Sequence, residues 1–284
     1  MGIPGRVRFL ADAPGTPHLY SGMIPLHDDN PTHIFPVVTV GLIVVCVLVF
    51  FWQLSLPGQA GQQAIYSYGL IPAVLFGDAR LPAELVAVPA AMSVLTSMFL
   101  HGGWMHLIGN MLYLWIFGNN IEDSMGHARF IVFYVLCGVA AALTQALHDP
   151  ASIIPMIGAS GAIGGVLGAY ALLFPRAHVL VLVPLGFFIT TVRVPALLVL
   201  GFWFVLQFIQ QAMIPAGQGG VAHWAHIGGF VAGMILILPF KRRGVPLFGG
   251  PRARPAKPSS GPGQPRGRGS SMRFPRSGRR GPWS

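Results

Sequence analysis

Six apolar stretches, at about 36–56, 104–118, 129–147, 158–174, 194–213 and 222–240, follow one another along this chain, and no Asp or Glu falls within any of them. About 20 apolar residues wound at ~1.5 Å per residue match the ~30 Å hydrocarbon thickness of a bilayer. There every backbone N–H and C=O must be satisfied without water, so each stretch is expected to fold as a helix. Composition agrees: 9% of the 284 residues are charged, against roughly 25% in soluble domains. A soluble enzyme, a disordered chain and a collagenous one are excluded. The expected fold class is an all-α membrane protein, a bundle of six transmembrane helices.

Three domains are expected: an N-terminal segment 1–35, a membrane domain 36–240 with a long first loop at 57–100, and a C-terminal tail 241–284. The first stretch begins too late, after too polar a leader, for a cleaved signal peptide. In the loop, Pro57, Pro72, Pro82 and Pro89 stand among apolar residues, a mixture that suits a partly buried segment lying at the membrane interface. The run Val179–Val183 is apolar but short and interrupted by Pro184 and Gly186, and reads as a connecting turn region. Cys46 and Cys137 sit in apolar surroundings and read as packing residues.

Charge is sharply segregated. Twelve of the 18 Lys and Arg lie from Lys241 onward, whereas all eight acids precede residue 150. The tail is rich in Pro, Gly and Ser with few aliphatic residues, so it is expected to be disordered. Its basic run suits a topology determinant that touches anionic lipid, and nucleic acid is not the expected partner. With six spans and the tail inside, 17 basic residues fall on the inner side and Arg80 alone on the outer. Both termini are therefore expected in the cytoplasm, in a multi-pass protein of a bacterial inner membrane.

Polar groups inside membrane spans are costly and are functional candidates by default. Three clusters stand out, each at the start of an alternate stretch: His101, His106 and Asn110; Gly158-Ala159-Ser160-Gly161; and His223 with His226. The second, fourth and sixth spans run in one direction, so these clusters share a leaflet at similar depth. His106 and Asn110, four apart, project from one helix face. Serine beside histidine is the nucleophile–base pair of acyl transfer, and His106, Asn110 and the Ser160 amide are candidate oxyanion donors. No acid is available to orient the histidine, so a dyad is the expected constellation. Gly161, Gly164, Gly165 and Gly168, with the Gly229/Gly233 pair, read as small-residue helix packing.

The set His-x4-His-x3-Asn, then G-A-S-G, then A-H-x-x-G-x-x-x-G closely resembles the rhomboid family of intramembrane serine proteases over about residues 35–240. The resemblance implies Ser160 as nucleophile, His226 as general base, His106 and Asn110 with the Ser160 amide as the oxyanion site, and His101 as a supporting histidine. It implies that Gly158 and Gly161 frame the nucleophile and that Glu122 is a structural acid. His223 competes for the role of base, but the motif match selects His226 and leaves His223 as a rim residue. The Trp-Arg pair that many members carry in the first loop is absent from 57–100.

No cofactor and no metal are implied. Zinc held by His101, His106, His223 and His226 is the weaker alternative, since neither H-E-x-x-H nor an intramembrane carboxylate is present. A transporter would carry an intramembrane acid or a repeat. The expected partners are single-span or polytopic membrane-protein substrates and the lipid bilayer; oligomeric state is not legible. The alternative function is a catalytically silent rhomboid-like binding module.

Overall fold

The computed structural model describes residues 24–185, 188–213 and 220–251. The expected disorder of the tail beyond Pro251 falls outside these residues. By internal contacts the chain divides into two units, Met1–Arg254 and Pro255–Ser284, and every described helix and strand belongs to the first.

Every apolar stretch carries a helix: α1 (Val37–Ser55), α5 (Trp104–Tyr113) continuing through a π turn at Leu114–Gly118 into α6 (Asn119–Met125), α7 (His127–His148), α8 (Ser160–Leu173), α9 (Ala196–Met213) and α10 (His223–Phe240). By length and composition α1, α7, α9 and α10 can each cross a bilayer. A fifth span is added if the pair Ala83–Phe99 and Trp104–Met125, bent by 80°, counts as one. Although apolar throughout, α8 has 14 residues, ~21 Å at 1.5 Å per residue. It is short because the chain stays non-helical from Ala151 to Ala159.

The prolines of the long first connection act as helix starters, where a missing N–H costs nothing. α2 (Ala60–Tyr68) follows a turn in which Ala60 N–H donates to the Pro57 carbonyl. Pro72 is the first residue of α3 (Pro72–Phe76). A single 3₁₀ turn, Ala83–Leu85, follows Pro82, and α4 (Ala90–Thr96) follows Pro89.

The all-α expectation is corrected by a three-stranded antiparallel sheet. β1 (Ile24–Asp28), β2 (His178–Leu185) and β3 (Phe188–Pro195) lie in the order β1-β2-β3. The supposed turn region is thus a hairpin. Val179 and Val181 are fully buried while the alternating Leu180 and Leu182 are half-buried, a period of two that belongs to a strand. Pro184 lies beyond the β1 register, where β2 has one neighbour only, so its missing donor is tolerated. On the edge strand, Pro25 sits at a bulge.

The leader is bound to this sheet end. Tyr170 of α8 donates to the Asp28 carboxylate at 2.6 Å, and His33 N–H donates to Asp123 at 2.9 Å. Burial pushes the Asp28 carboxyl up to about 6, against that hydrogen bond. Glu122 is fully buried in α6 and caps a different helix. Its carboxylate accepts from Val38 N–H at 2.9 Å, Thr39 N–H at 2.8 Å, the Thr39 hydroxyl at 2.6 Å and His127 Nδ1 at 2.5 Å. α1 has no side-chain cap of its own, so an acid from α6 answers its orphan donors and its dipole.

Around fully buried Phe117, Phe130, Phe133, Tyr134 and Tyr170, the closest helix pairing is α8 on α10. A Cβ on Gly168 would collide with the Phe230 carbonyl, one on Gly229 with the Gly161 carbonyl, and one on Gly233 with the Gly165 carbonyl. Backbones at this separation require glycine at each crossing. Cys46 and Cys137 are buried as expected, Cys137 against Gly165. The chain directly after α10 packs back onto the helices. Arg242 N–H donates to Ser124 O at 2.9 Å, and Phe248 and Gly249 N–H donate to Leu172 and Leu173 O, both at 2.9 Å. Residues 241–251 thus close the ends of α6 and α8, whose last carbonyls lack partners inside their own helices.

Candidate active site

Three helix N-termini, those of α5, α8 and α10, meet at the end of the bundle opposite the sheet. The α8/α10 glycines set the closest approach. Gly161 lies 3.7 Å, measured from an ideal Cβ, from Ala225, and Gly164 lies 2.9 Å from the His226 carbonyl on the same measure. The first turn of α8, which Ser160 opens, thus packs against the first turn of α10, which carries His226. Ser160 is half-buried, and its hydroxyl has no hydrogen-bond partner among the described residues. Nucleophile–base hydrogen bonds commonly tighten only when substrate is bound.

α5 supplies the second wall. Gly158, two residues before the serine, has φ +121°, and its N–H is fixed on the Ser97 carbonyl at 2.8 Å. An ideal Cβ there would lie 2.6 Å from His106 Nε2 and 3.7 Å from Asn110 Nδ2. Gly158 therefore leaves open the space that these two side chains face. Gly102 N–H donates to His106 Nδ1 at 3.3 Å, so the neutral ring carries its proton on Nε2 and presents a donor to that space. Asn110 Nδ2 is buried with no partner among the described residues. A buried donor left unpaired costs about 1–3 kcal/mol, and such groups call for a functional explanation.

His101 is almost fully buried, and its Nε2 has no partner among the described residues. Its Nδ1 donates to the Phe99 carbonyl at 3.2 Å, and its ring meets His106 edge-on with centroids 5.1 Å apart. Gln53 of α1 grips the His101 main chain from both sides, accepting its N–H at 3.0 Å and donating to its carbonyl at 3.2 Å.

α9 forms the third wall. Gln207 Oε1 accepts from His226 Nδ1 at 2.7 Å and from His223 Nδ1 at 2.9 Å. The Trp203 ring lies over the His226 ring, centroids 5.5 Å apart and 34° between planes. His223 is therefore no rim residue: it is 5% exposed. Its position three residues before His226 puts both rings on nearly one face, turned to the same glutamine. Gln207, Trp203 and Gln53 escaped the sequence reading. A survey of uncharged amides within apolar spans, instead of acids alone, would have found both glutamines.

Among the described residues no three His, Cys, Asp or Glu side chains come together as metal ligands. A cavity of about 400 Å³ near α2, α3 and α4, lined by Tyr66, Arg80 and Ser93, includes none of these polar groups.

The family model of the Rhomboid domain matches residues 89–243. Rhomboid protease GluP of Bacillus subtilis is 29% identical over 204 residues, 72% of this chain and 36% of that protein. Rhomboid protein 1, mitochondrial, of Saccharomyces cerevisiae is 36% identical over 100 residues, 34% of this chain and 29% of the relative. Rhomboid-like protein 11, chloroplastic, of Arabidopsis thaliana is 28% identical over 159 residues, 52% of each. The matched region thus spans about half or less of these relatives.

Proposed function

The chain belongs to the rhomboid family, and from that premise we propose that it is an intramembrane serine endopeptidase that cuts membrane proteins in or beside their transmembrane segments. One observation carries the reading. The serine heads α8, whose first turn packs on the first turn of α10; there His226 has its Nδ1 already engaged, and on α5 Asn110 Nδ2 is a buried donor with no partner among the described residues.

In this mechanism Ser160 Oγ attacks the scissile carbonyl carbon while its proton passes to His226 Nε2. The new Oγ–C bond drives the carbonyl π pair onto oxygen. That oxyanion takes hydrogen bonds from His106 Nε2, Asn110 Nδ2 and the Ser160 N–H at the positive end of α8. Collapse breaks the C–N bond, and the amine leaves with the proton from His226. Water, deprotonated by the same histidine, then releases the acyl group and restores the serine. A site among apolar helices needs water from one aqueous face, and a substrate helix must unwind locally to free a carbonyl.

We take the α5–α6 run and α8 as spans alongside α1, α7, α9 and α10, which gives six with both termini on the positively charged side. The compartment favoured by this charge asymmetry is a bacterial inner membrane.

The test is cleavage of a fluorogenic transmembrane substrate in liposomes by wild type, Ser160→Ala and His226→Ala. Activity in wild type alone is expected, with a loss of about 10²-fold or more in each variant. A wild type inert towards substrates and towards a fluorophosphonate probe would overturn the protease reading in favour of a silent binding module. His226→Ala cutting where His223→Ala does not would move the base to His223.

A further inference from the structure

A histidine that accepts a proton from serine must be held by its other nitrogen. Otherwise its ring samples the wrong tautomer and the wrong rotation, and in serine hydrolases a carboxylate commonly does this. None of the spans offers an acid at the site, yet the second nitrogen of His226 is not free. It lies 2.7 Å from Gln207 Oε1. Which end of the glutamine amide faces the histidine follows from the other half of the group, because Gln207 Nε2 donates to the Trp203 carbonyl one turn back at 2.9 Å. With the amino group committed there, the oxygen faces the histidines. An oxygen with no proton accepts only, so both His226 and His223 carry hydrogen on Nδ1. The Nε2 of His226 is left with its lone pair exposed, the protonation pattern a general base for serine requires.

We infer that Gln207 is the positioning residue of the site, an amide in the place of the triad carboxylate, which fixes the tautomer and orientation of His226. This rests on the protease reading and adds to it a third member from α9. The second hydrogen bond, from His223 at 2.9 Å, fills the other lone pair of the same oxygen and holds the amide plane, which explains why a second histidine is buried one turn from the base. Trp203 closes the remaining face of the ring. Gln207 is itself 4% exposed, so solvent cannot replace it. The arrangement also separates the two histidines by geometry: the ring against Trp203 is that of His226, whereas His223 donates from the side.

An amide dipole orients the imidazole but gives its protonated form less support than a carboxylate would. Gln207→Glu keeps the acceptor and adds a charge beside the ring, which favours the imidazolium. Gln207→Leu keeps the bulk and removes the acceptor. In liposomes with a fluorogenic transmembrane substrate, Gln207→Leu is expected to lower kcat by about 10- to 100-fold with KM little changed. That loss is a fraction of the 10²–10⁴ a positioned general base contributes, and fluorophosphonate labelling of Ser160 should slow in parallel. Gln207→Glu is expected to lose less activity than Gln207→Leu and to move the acid limb of the kcat/KM profile to higher pH. Wild-type rates and an unmoved profile in both variants would overturn the inference while leaving the protease intact. Loss of activity in both, with the profile of residual activity unmoved, would mean that Gln207 only packs α9, and would overturn it as well. A wild type that cuts nothing would instead sink the protease reading itself.

Discussion

A single missing methyl group sets the geometry of this site. At φ +121° Gly158 occupies backbone space that side chains avoid, and a Cβ there would stand 2.6 Å from His106 Nε2. Gly158→Ala therefore combines strain of about 1–3 kcal/mol with obstruction of the space that His106 and Asn110 face. Turnover is expected to fall by about 10²–10³-fold, the usual effect of losing an oxyanion donor. Measured kcat on a transmembrane substrate checks this, and near-wild-type turnover would remove Gly158 from the site. Sequence reasoning reached this residue through the G-A-S-G motif. It did not reach Gln207, because the partner of the histidine was sought among acids, and an amide in an apolar span looks like any tolerated polar group.

At the scale of elements, the helices position one another's ends. Glu122 belongs to α6 but caps α1 through three donors from Val38 and Thr39, and it also holds His127. Glu122→Gln keeps one acceptor oxygen and turns an amino group towards those donors. A loss of about 2–4 kcal/mol is expected, the scale of charged buried hydrogen bonds and a capped dipole. Thermal unfolding in detergent should show a clearly lower midpoint, with the activity of the folded fraction at low temperature retained. An unchanged midpoint would refute the capping role. The helices themselves were legible because apolar runs in lipid have few alternatives to helix. The β2–β3 hairpin was not, because Val179–Val183 is too short to distinguish a buried strand from a loop until its neighbours are known.

For the molecule as a whole, contacts with the helices continue past the end of α10 at Phe240. The segment after α10 returns to α6 and α8 through Arg242, Phe248 and Gly249. A chain ended after Pro251 is expected to unfold at the wild-type temperature and to keep its activity. One ended after Phe240 strips the partners from the Ser124, Leu172 and Leu173 carbonyls and is expected to lose about 2–3 kcal/mol. Thermal unfolding of the two truncations side by side checks this; equal midpoints would mean that 241–251 contributes nothing.

By itself the sequence determined the medium, the mostly helical class, the segregation of charge and the residue types of the candidate site. These follow from composition, from period and from the cost of polar groups in lipid, all of them local or additive properties of a chain. Only the tertiary structure decided what faces what: Gln207 on His226, Gly158 opposite His106, Glu122 beneath α1, the leader as the edge strand of a sheet. These pairings join residues from 19 positions apart to 158 for Ile24 and Leu182. Such contacts arise where backbones approach over glycine and where buried donors must find acceptors. Those constraints act between elements and leave little trace along any one of them.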